Sequence, residues 1–398
     1  MRGSFVFNVI LETSQSYGAF MKTLSDIEYL KDVRALVRVD FNVPIIKGKV
    51  VNDYRIRMAL PTINFLRAKG AKVVLISHLE VKEGEKATLE PVVGVLENLG
   101  VSTTFVKNIR NATDEIAKMS AGSCILLENL RQFDGEKTND QQFAKELASL
   151  GDFFVNDAFS VCHREHASIV GVPKLLPSYA GLQLQNEIEH LSQAFHAMHP
   201  FLFILGGAKF ETKLPLLERF IRLADTVFVG GALAHDFFKG KGYEVGKSLV
   251  SVGEFDLSKY FSNPVLMLPE DVVIENRETR PVDCLINTDK IMDAGPKTLE
   301  LLKAKIDAAS FILWNGPLGL YEGGYCEATQ EVAKAIAARF DVAGAAGKIT
   351  SIVGGGDTLA AIATLKLEDK FTFISTAGGA MLDFLTNGTL PGIDALNL

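Results

Sequence analysis

Short apolar runs of β character, each closed by a turn and followed by a helix-like pattern, recur along almost the whole of this chain. In the first half, residues 35–39, 72–76, 123–126 and 152–155 read as strands, with helices over 57–69 and 140–150. Residues 201–205, 226–229, 265–268, 311–313, 349–353 and 371–374 continue the strand series. Strands that are apolar on both faces and separated by helices predict parallel sheets covered on both sides. The expected class is therefore α/β. A chain of 398 residues, 47% of them apolar, holds material for two cores, so two doubly wound domains are expected.

Charge and cysteine usage narrow the function classes. The 41 basic and 48 acidic residues leave a formal net charge of -7, the wrong sign for a protein built to neutralise a nucleic-acid backbone. Cys124, Cys162, Cys284 and Cys326 lie far apart, without Cys-x-x-Cys or Cys/His ligand spacing, and read as reduced thiols of a cytoplasmic protein. No apolar span is long enough to cross a bilayer, and the apolar stretch 4–11 lacks the flanks of a signal peptide. Met21-Lys22-Thr23-Leu24 reads as a natural start, which makes 1–20 an N-terminal extension outside the fold. The stretch 185–199 is helical, with a buried stripe at Leu184, Ile188, Leu191 and Phe195. It either joins two domains or is an ordinary surface helix.

Glycine clusters sit where strands give way to helices. Gly354-Gly355-Gly356-Asp357-Thr358 follows one apolar run, and Ser375-Thr376-Ala377-Gly378-Gly379 follows the next. Glycine lets backbone amides approach an anion, and the helix that follows presents unpaired N–H groups and the positive end of its dipole. Such loops suit phosphate. Leu205-Gly206-Gly207-Ala208-Lys209 repeats the pattern, and Lys213 lies four residues beyond Lys209. On a helix the two ammonium groups share a face that either contacts successive phosphates or is simply solvated. Trp314-Asn315-Gly316-Pro317, with Glu322 just after it, is either a tight connection or part of the same cradle. Asp357 is either a helix N-cap or a magnesium ligand, since that ion commonly uses one or two carboxylates plus nucleotide phosphates.

The basic residues of the first half fall at equivalent places. Arg38, Asp40 and Asn42 follow one strand, His78 another, Arg131 a third, and His163, Arg164 and His166 a fourth, while Arg55 opens a helix. Residues just beyond the carboxyl ends of parallel strands converge on one crevice. Four arginines there would suit a small polyanion, because the guanidinium fork matches phosphate and carboxylate oxygens. Singly, each arginine reads equally as a surface ion pair. The glycine loops alone would also suit a nicotinamide dehydrogenase. The first strand, however, is followed by no Gly-x-Gly-x-x-Gly turn and no acidic ribose partner.

From Met21 onward the chain resembles the phosphoglycerate kinase family. The resemblance rests on Arg38-Val39-Asp40-Phe41-Asn42-Val43-Pro44, Leu126-Leu127-Glu128-Asn129-Leu130-Arg131, Asn156-Asp157-Ala158-Phe159, Leu205-Gly206-Gly207-Ala208-Lys209, Trp314-Asn315-Gly316-Pro317 and Gly354-Gly355-Gly356-Asp357-Thr358, in the family's order. It implies an N-terminal 3-phosphoglycerate domain over 21–184, an interdomain hinge helix over 185–199, a nucleotide domain over 200–384, and a terminal segment, 385–398, packing back on the first domain. The lobes of such a monomer close to move a phosphoryl group between ATP and the carboxylate of 3-phosphoglycerate, with Mg2+. By the same resemblance Asp40, Asn42, Arg55, His78, Arg131, His163 and Arg164 bind the triose. Lys209, Lys213, Asn315, Pro317, Glu322, Gly354, Gly355, Gly356, Asp357 and Thr358 bind the nucleotide, with Asp357 on the metal. Arg55, Lys209, Gly355 and Gly378 are the implied catalytic groups. Nucleic acid and membrane are not expected partners.

Two positions depart from the family's pattern. Ser77-His78-Leu79 is followed by Glu80-Val81-Lys82 where the family has Gly-Arg-Pro, so a substrate-binding arginine is missing and Glu80 brings negative charge to an anion site. Lys82 or Lys86 would replace it only as a point charge. Glu80-Val81 is expected to weaken affinity for 3-phosphoglycerate more than affinity for ATP. Ala377 stands where the family has the first of three glycines, which matters only if that residue needs positive φ. A weakened or non-catalytic nucleotide-binding relative is the alternative that these departures leave open.

Overall fold

The computed structural model describes residues 21–80, 87–253, 255–342 and 349–397. The readings made for residues 1–20 and for Val81, Lys82 and Lys86 lie outside the described residues. Two units of α/β structure divide the chain, one formed by Met1–Glu189 with Asn387–Leu398, the other by His190–Thr386.

The first unit holds a six-stranded, wholly parallel sheet. Its strands are β1 (Arg34–Arg38), β2 (Lys72–Ile76), β3 (Thr103–Val106), β4 (Cys124–Leu127), β5 (Phe153–Asn156) and β6 (Ser178–Ala180), in the spatial order β3-β4-β2-β1-β5-β6. Every residue of β4 and β5 is buried, as the unbroken apolar runs require of strands covered on both faces. Helix α1 (Tyr54–Ala68) packs Ile56, Ile63 and Leu66 into this core and gives way at Gly70, whose φ of +83° a side chain would resist. Helices α2 (Glu90–Asn98) and α3 (Gln141–Ala148) follow. The Asp140 carboxylate accepts the Phe143 N–H at 2.8 Å and so satisfies one orphan donor of α3. Helix α4 (Leu182–Ser192) leads out of the unit. The terminal residues return to it, with Gly392 N–H donating to the Cys162 carbonyl at 2.8 Å and Ala395 packed among Ala158, Val161 and Ile169.

The second unit repeats the plan. Strands β7 (Phe201–Leu205), β8 (Thr226–Val229), β9 (Leu266–Met267), β13 (Phe311–Asn315), β14 (Thr350–Gly354) and β15 (Phe373–Ser375) form a parallel sheet in the order β9-β8-β7-β13-β14-β15. Between β9 and β13 the chain adds a small antiparallel sheet, β10 (Asp271–Ile274), β11 (Thr279–Pro281) and β12 (Ile291–Ala294), which the strand rhythm did not predict. Its strands are only three or four residues long and include Asp271, Arg280 and Asp293, so they carry no long apolar run. Helices α5 (Phe210–Phe220), α6 (Ala232–Gly240), α7 (Pro296–Ala308), α8 (Glu327–Val342), α9 (Gly356–Leu365) and α10 (Gly379–Asn387) connect the strands. Trp314, the only tryptophan, is fully buried in this unit.

One buried carboxyl group ties the first unit together. Asp157, just past β5, accepts through Oδ1 from Thr62 Oγ1 of α1 and from the Gln183 N–H in the first turn of α4, each at 2.8 Å. Gly181 permits this approach, because a Cβ there would overlap the carboxyl group. Asp157 Oδ2 is buried with no hydrogen-bond partner, and burial pushes the group up to about 7. Its ordinary value is 3.8, so between about 4 and 7 the folded chain keeps a proton that the unfolded chain has released. The group's stabilising contribution is complete below pH 4 and is lost as pH rises through 7. His78 and His166, held neutral by burial, act in the opposite sense. A difference measurement separates them: D157N should remove up to about 1.4 kcal/mol per pH unit of destabilisation over this interval. Amide exchange of residues 153–184 at pH 5, 6 and 7 checks it, and an identical slope in both proteins would contradict the assignment.

Candidate functional site

Because the first sheet is parallel, all its strands end at one edge, and the polar residues that follow them meet there. Arg38, the last residue of β1, is fully buried. Its Nε donates to Ser168 Oγ at 2.9 Å, Nη1 to the Val39 carbonyl at 2.6 Å, and Nη2 lies 3.1 Å from His78 Nδ1. Ser168 in turn donates to Glu136 through both Oγ and its peptide N–H, at 2.6 and 3.0 Å. Glu136, fully buried, thus supplies the counter-charge for a buried guanidinium. With Nδ1 accepting from Arg38, His78 carries its proton on Nε2. Burial, aided by the guanidiniums of Arg38, Arg131 and Arg164, holds its pKa well below the usual histidine range. His78 is therefore a neutral donor. Burial and the same guanidiniums likewise bring His166 down to about 4.

The remaining predicted residues of this unit lie around that base. Arg55, in the first turn of α1, donates from Nη1 to Asp40 Oδ2 at 2.8 Å, and Ser160 Oγ donates to the same oxygen at 2.5 Å. The Asn42 N–H donates to Asp40 Oδ1 at 3.0 Å. Asn42 Oδ1 accepts the Glu80 N–H at 3.0 Å, and Arg164 Nη1 donates to Glu80 Oε1 at 2.5 Å. Arg131 Nη2 lies 3.6 Å from that same oxygen, and Arg164 Nε is 3.4 Å from His163 Nε2. Asp40, Asn42, Arg55, His78, Arg131, His163 and Arg164 are therefore linked at one edge. Asn129 fixes two of the loops by accepting from the Leu79 and Arg131 N–H groups at 2.9 and 3.0 Å. Asn129, Ser160 and Glu136 are not among the site residues expected from the sequence. Glu136 sits in a polar turn, Asp134-Gly135-Glu136-Lys137, that looks exposed.

In the second unit the loops after β7, β8 and β13 touch backbone to backbone. Gly206 N–H donates to the Asn315 carbonyl at 2.8 Å, and Gly207 N–H to the Pro317 carbonyl at 2.9 Å. A Cβ on Gly206 or Gly316 would overlap the opposing carbonyl, and Gly316 has φ +94°. The Lys213 ammonium is buried against these loops and donates to the Gly206 carbonyl; a Cβ on Gly207 or Gly316 would lie 2.8 or 2.9 Å from its Nζ. Burial pushes Lys213 down to about 8, against the attraction of Asp357.

The shared helical face expected of Lys209 and Lys213 is not formed. Lys209 is exposed and precedes α5, with φ -93° and ψ 85°, whereas Lys213 points back under the loop. The glycine loop bends the backbone there and removes the helical register between them.

Beyond β14, Gly355 has φ +104°, Gly356 opens α9, and the hydroxyl of Thr358 is buried with no hydrogen-bond partner. An unpaired hydroxyl beside free helix N–H groups suits an anion. The positive φ of the next loop falls on Gly378, at +54°, and not on Ala377, so alanine there costs no strain. Asn315 is buried at the end of β13, with Nδ2 3.7 Å from Met381 Sδ, and Gly354 abuts the same sulfur. A cavity of about 200 Å³ opens beside these loops, walled by Gly207, Gly231, Leu249, Pro317, Glu322 and Asp357. Its wall also includes Asp293, whose carboxylate accepts the Ala328 N–H at 3.0 Å at the start of α8. Among the described residues no three His, Cys, Asp or Glu side chains form a metal cage. The exposed carboxylate of Asp357 instead fits an ion bound mainly through a ligand's phosphates.

A family model described as phosphoglycerate kinase matches residues 24–388. The chain is 42% identical to the phosphoglycerate kinase of Dictyoglomus turgidum over an alignment of 402 residues, covering 94% of this chain and 98% of the relative. It is 41% identical to that of Maricaulis maris, covering 91% and 94%. The solved phosphoglycerate kinase of Coxiella burnetii is similar with a TM-score of 0.82 at 34% identity, covering 94% of this chain and 98% of that one. That of Pyrococcus horikoshii gives 0.81 at 32% identity over the same shares.

The glycine contacts give a paired test. G316A forces a Cβ into the Gly206 carbonyl at positive φ and should destabilise the second unit by about 2–4 kcal/mol. G356A meets nothing within 4 Å and should change stability by about 1 kcal/mol or less. Urea unfolding followed by Trp314 fluorescence distinguishes them.

Proposed function

The chain belongs to the phosphoglycerate kinase family, and from that premise we infer that it moves a phosphoryl group reversibly between ATP and the carboxylate of 3-phosphoglycerate. The match across residues 24–388 carries the reading. The geometry supports a division of roles. The guanidinium cluster of the first unit holds the acid groups of the triose, and the glycine loops of the second hold the nucleotide phosphates.

The acceptor carboxylate is ionised at neutral pH, so no general base is required. Catalysis then rests on alignment and on stabilising charge spread over the equatorial oxygens in the transition state. Arg55 and Lys209, with the backbone N–H groups at Gly355 and Gly378, are the groups we assign to that charge. Arg38, its charge balanced by Glu136, and neutral His78 form the buried base of this cluster, while Arg55, Ser160 and the Asn42 N–H orient Asp40. Asn315, Gly354 and Met381 back the nucleotide loops, while Pro317, Glu322, Gly356 and Thr358 border the donor. Asp357 would hold Mg2+, which when bound offsets negative charge on the phosphates. Among the described residues no helix is long and apolar enough to cross a membrane. With four free thiols and a net charge of -7, a cytoplasmic enzyme that binds no nucleic acid is our reading. Both residue sets come from one chain, so a monomer suffices.

ADP formation that depends on both ATP and 3-phosphoglycerate tests the assignment, and a folded, nucleotide-binding protein without turnover would overturn it. R55A should lower kcat by about 100-fold or more with folding intact. Lys213 supplies a pH signature. Its ammonium form prevails below about pH 8, so ADP affinity should fall as pH rises through 8. K213M should weaken ADP binding by about tenfold at pH 7 and flatten that dependence, as read by calorimetry between pH 6.5 and 9.5.

A further inference from the structure

Among the described residues, three carboxylates offset the charge of the cluster formed by Arg38, Arg55, Arg131 and Arg164, and they are held very differently. Glu136 is fully buried and takes both hydrogen bonds from Ser168. Asp40 has a side chain only 12% exposed and is tied by Arg55, Ser160 and the Asn42 N–H. Neither can leave without stranding a buried guanidinium or several donors. Glu80 is the exception. Its side chain is 51% exposed, and its carboxylate rests on one short bond from Arg164 Nη1, 2.5 Å, with Arg131 Nη2 at 3.6 Å from the same oxygen. Its backbone is anchored separately, by the N–H donated to Asn42 Oδ1 at 3.0 Å. The carboxylate can therefore swing into solvent about its own side-chain bonds while the Glu80 backbone stays anchored.

Arg131 and Arg164 point their donors at one oxyanion, and that oxyanion belongs to the chain itself. We infer that the Glu80 carboxylate is a built-in competitor, seated where an acid group of the substrate binds and displaced by it. The inference rests on the assignment of the triose to this cluster. An exposed ion pair is weak enough to be exchanged for a ligand anion that gains the same two guanidiniums. Because only the fraction of molecules with Glu80 swung away is competent, apparent affinity is the intrinsic affinity multiplied by that fraction. Glu80 thus sets the affinity for the acid substrate and leaves the nucleotide untouched. A second effect follows. Without substrate, the carboxylate keeps two adjacent guanidiniums from repelling one another, so the site is held assembled while empty.

E80Q keeps the side-chain size and removes the charge. In the full chain it should lower the Kd for 3-phosphoglycerate by about three- to tenfold, with the Kd for ADP unchanged. Inorganic sulfate, as a simpler probe, should gain similarly. The decisive arm is R164M, which removes the principal partner: there, adding E80Q should change the Kd by less than about twofold. The same gain in both backgrounds would mean that Glu80 acts by through-space repulsion and would overturn displacement. So would a weaker or unchanged Kd in E80Q alone, the weaker case marking Glu80 as a support for the arginines. Thermal melts verify that each variant folds. If E80Q tightens sulfate but 3-phosphoglycerate neither binds nor turns over, the competitor stands and the substrate assignment fails.

Discussion

A parallel ladder satisfies its peptide hydrogen bonds only when each strand enters from the same side, so every strand must be carried back by a covering segment before the next begins. In both units this places all the carboxyl ends of the main sheet along one edge. At that edge the backbone stops being paired and becomes available. The first unit fills it with side chains, the second with backbone amides. Both solutions suit anions, because helix N-termini also open there.

The two edges manage opposite electrostatic problems. Crowding Arg38, Arg55, Arg131 and Arg164 costs free energy unless anions lie between them, and Glu136, Asp40 and Glu80 supply these at increasing distance from the core. In the second unit a single ammonium, Lys213, is driven into a nest of carbonyls and glycine, where burial weakens its hold on the proton. A bound polyanion relieves both. It completes the charge balance of the arginines and favours the protonated lysine.

Much of this was legible in the sequence, and the reasons differ by element. Strands Lys72–Ile76, Phe201–Leu205 and Thr226–Val229 appear where the apolar runs place them, because full burial on two faces leaves an unbroken signature. The side sheet over Asp271–Ala294 escaped notice, since strands of three or four residues interrupted by Asp271, Arg280 and Asp293 have no such run. Convergence of Arg131 and Arg164 followed from strand direction alone. The pairing of Arg164 with Glu80 did not, because it joins residues 84 apart whose contact depends on how two loops fold over the edge. Lys209 and Lys213 were misplaced for a local reason: helical spacing was assumed across a residue that the glycine loop keeps out of the helix.

The return of the last residues to the first unit bears on how the chain is made. Residues 190–386 form a contiguous unit that can complete its core as soon as it leaves the ribosome. The first unit cannot. Ile393 and Leu396 are each 3% exposed in its interior, and the Gly392 N–H donated to the Cys162 carbonyl closes a span of more than two hundred residues. Synthesis thus begins with the unit that finishes last, and the small apolar cluster of Ala158, Val161, Ile169 and Val170 must wait, incompletely covered, while a whole second unit is translated and folded.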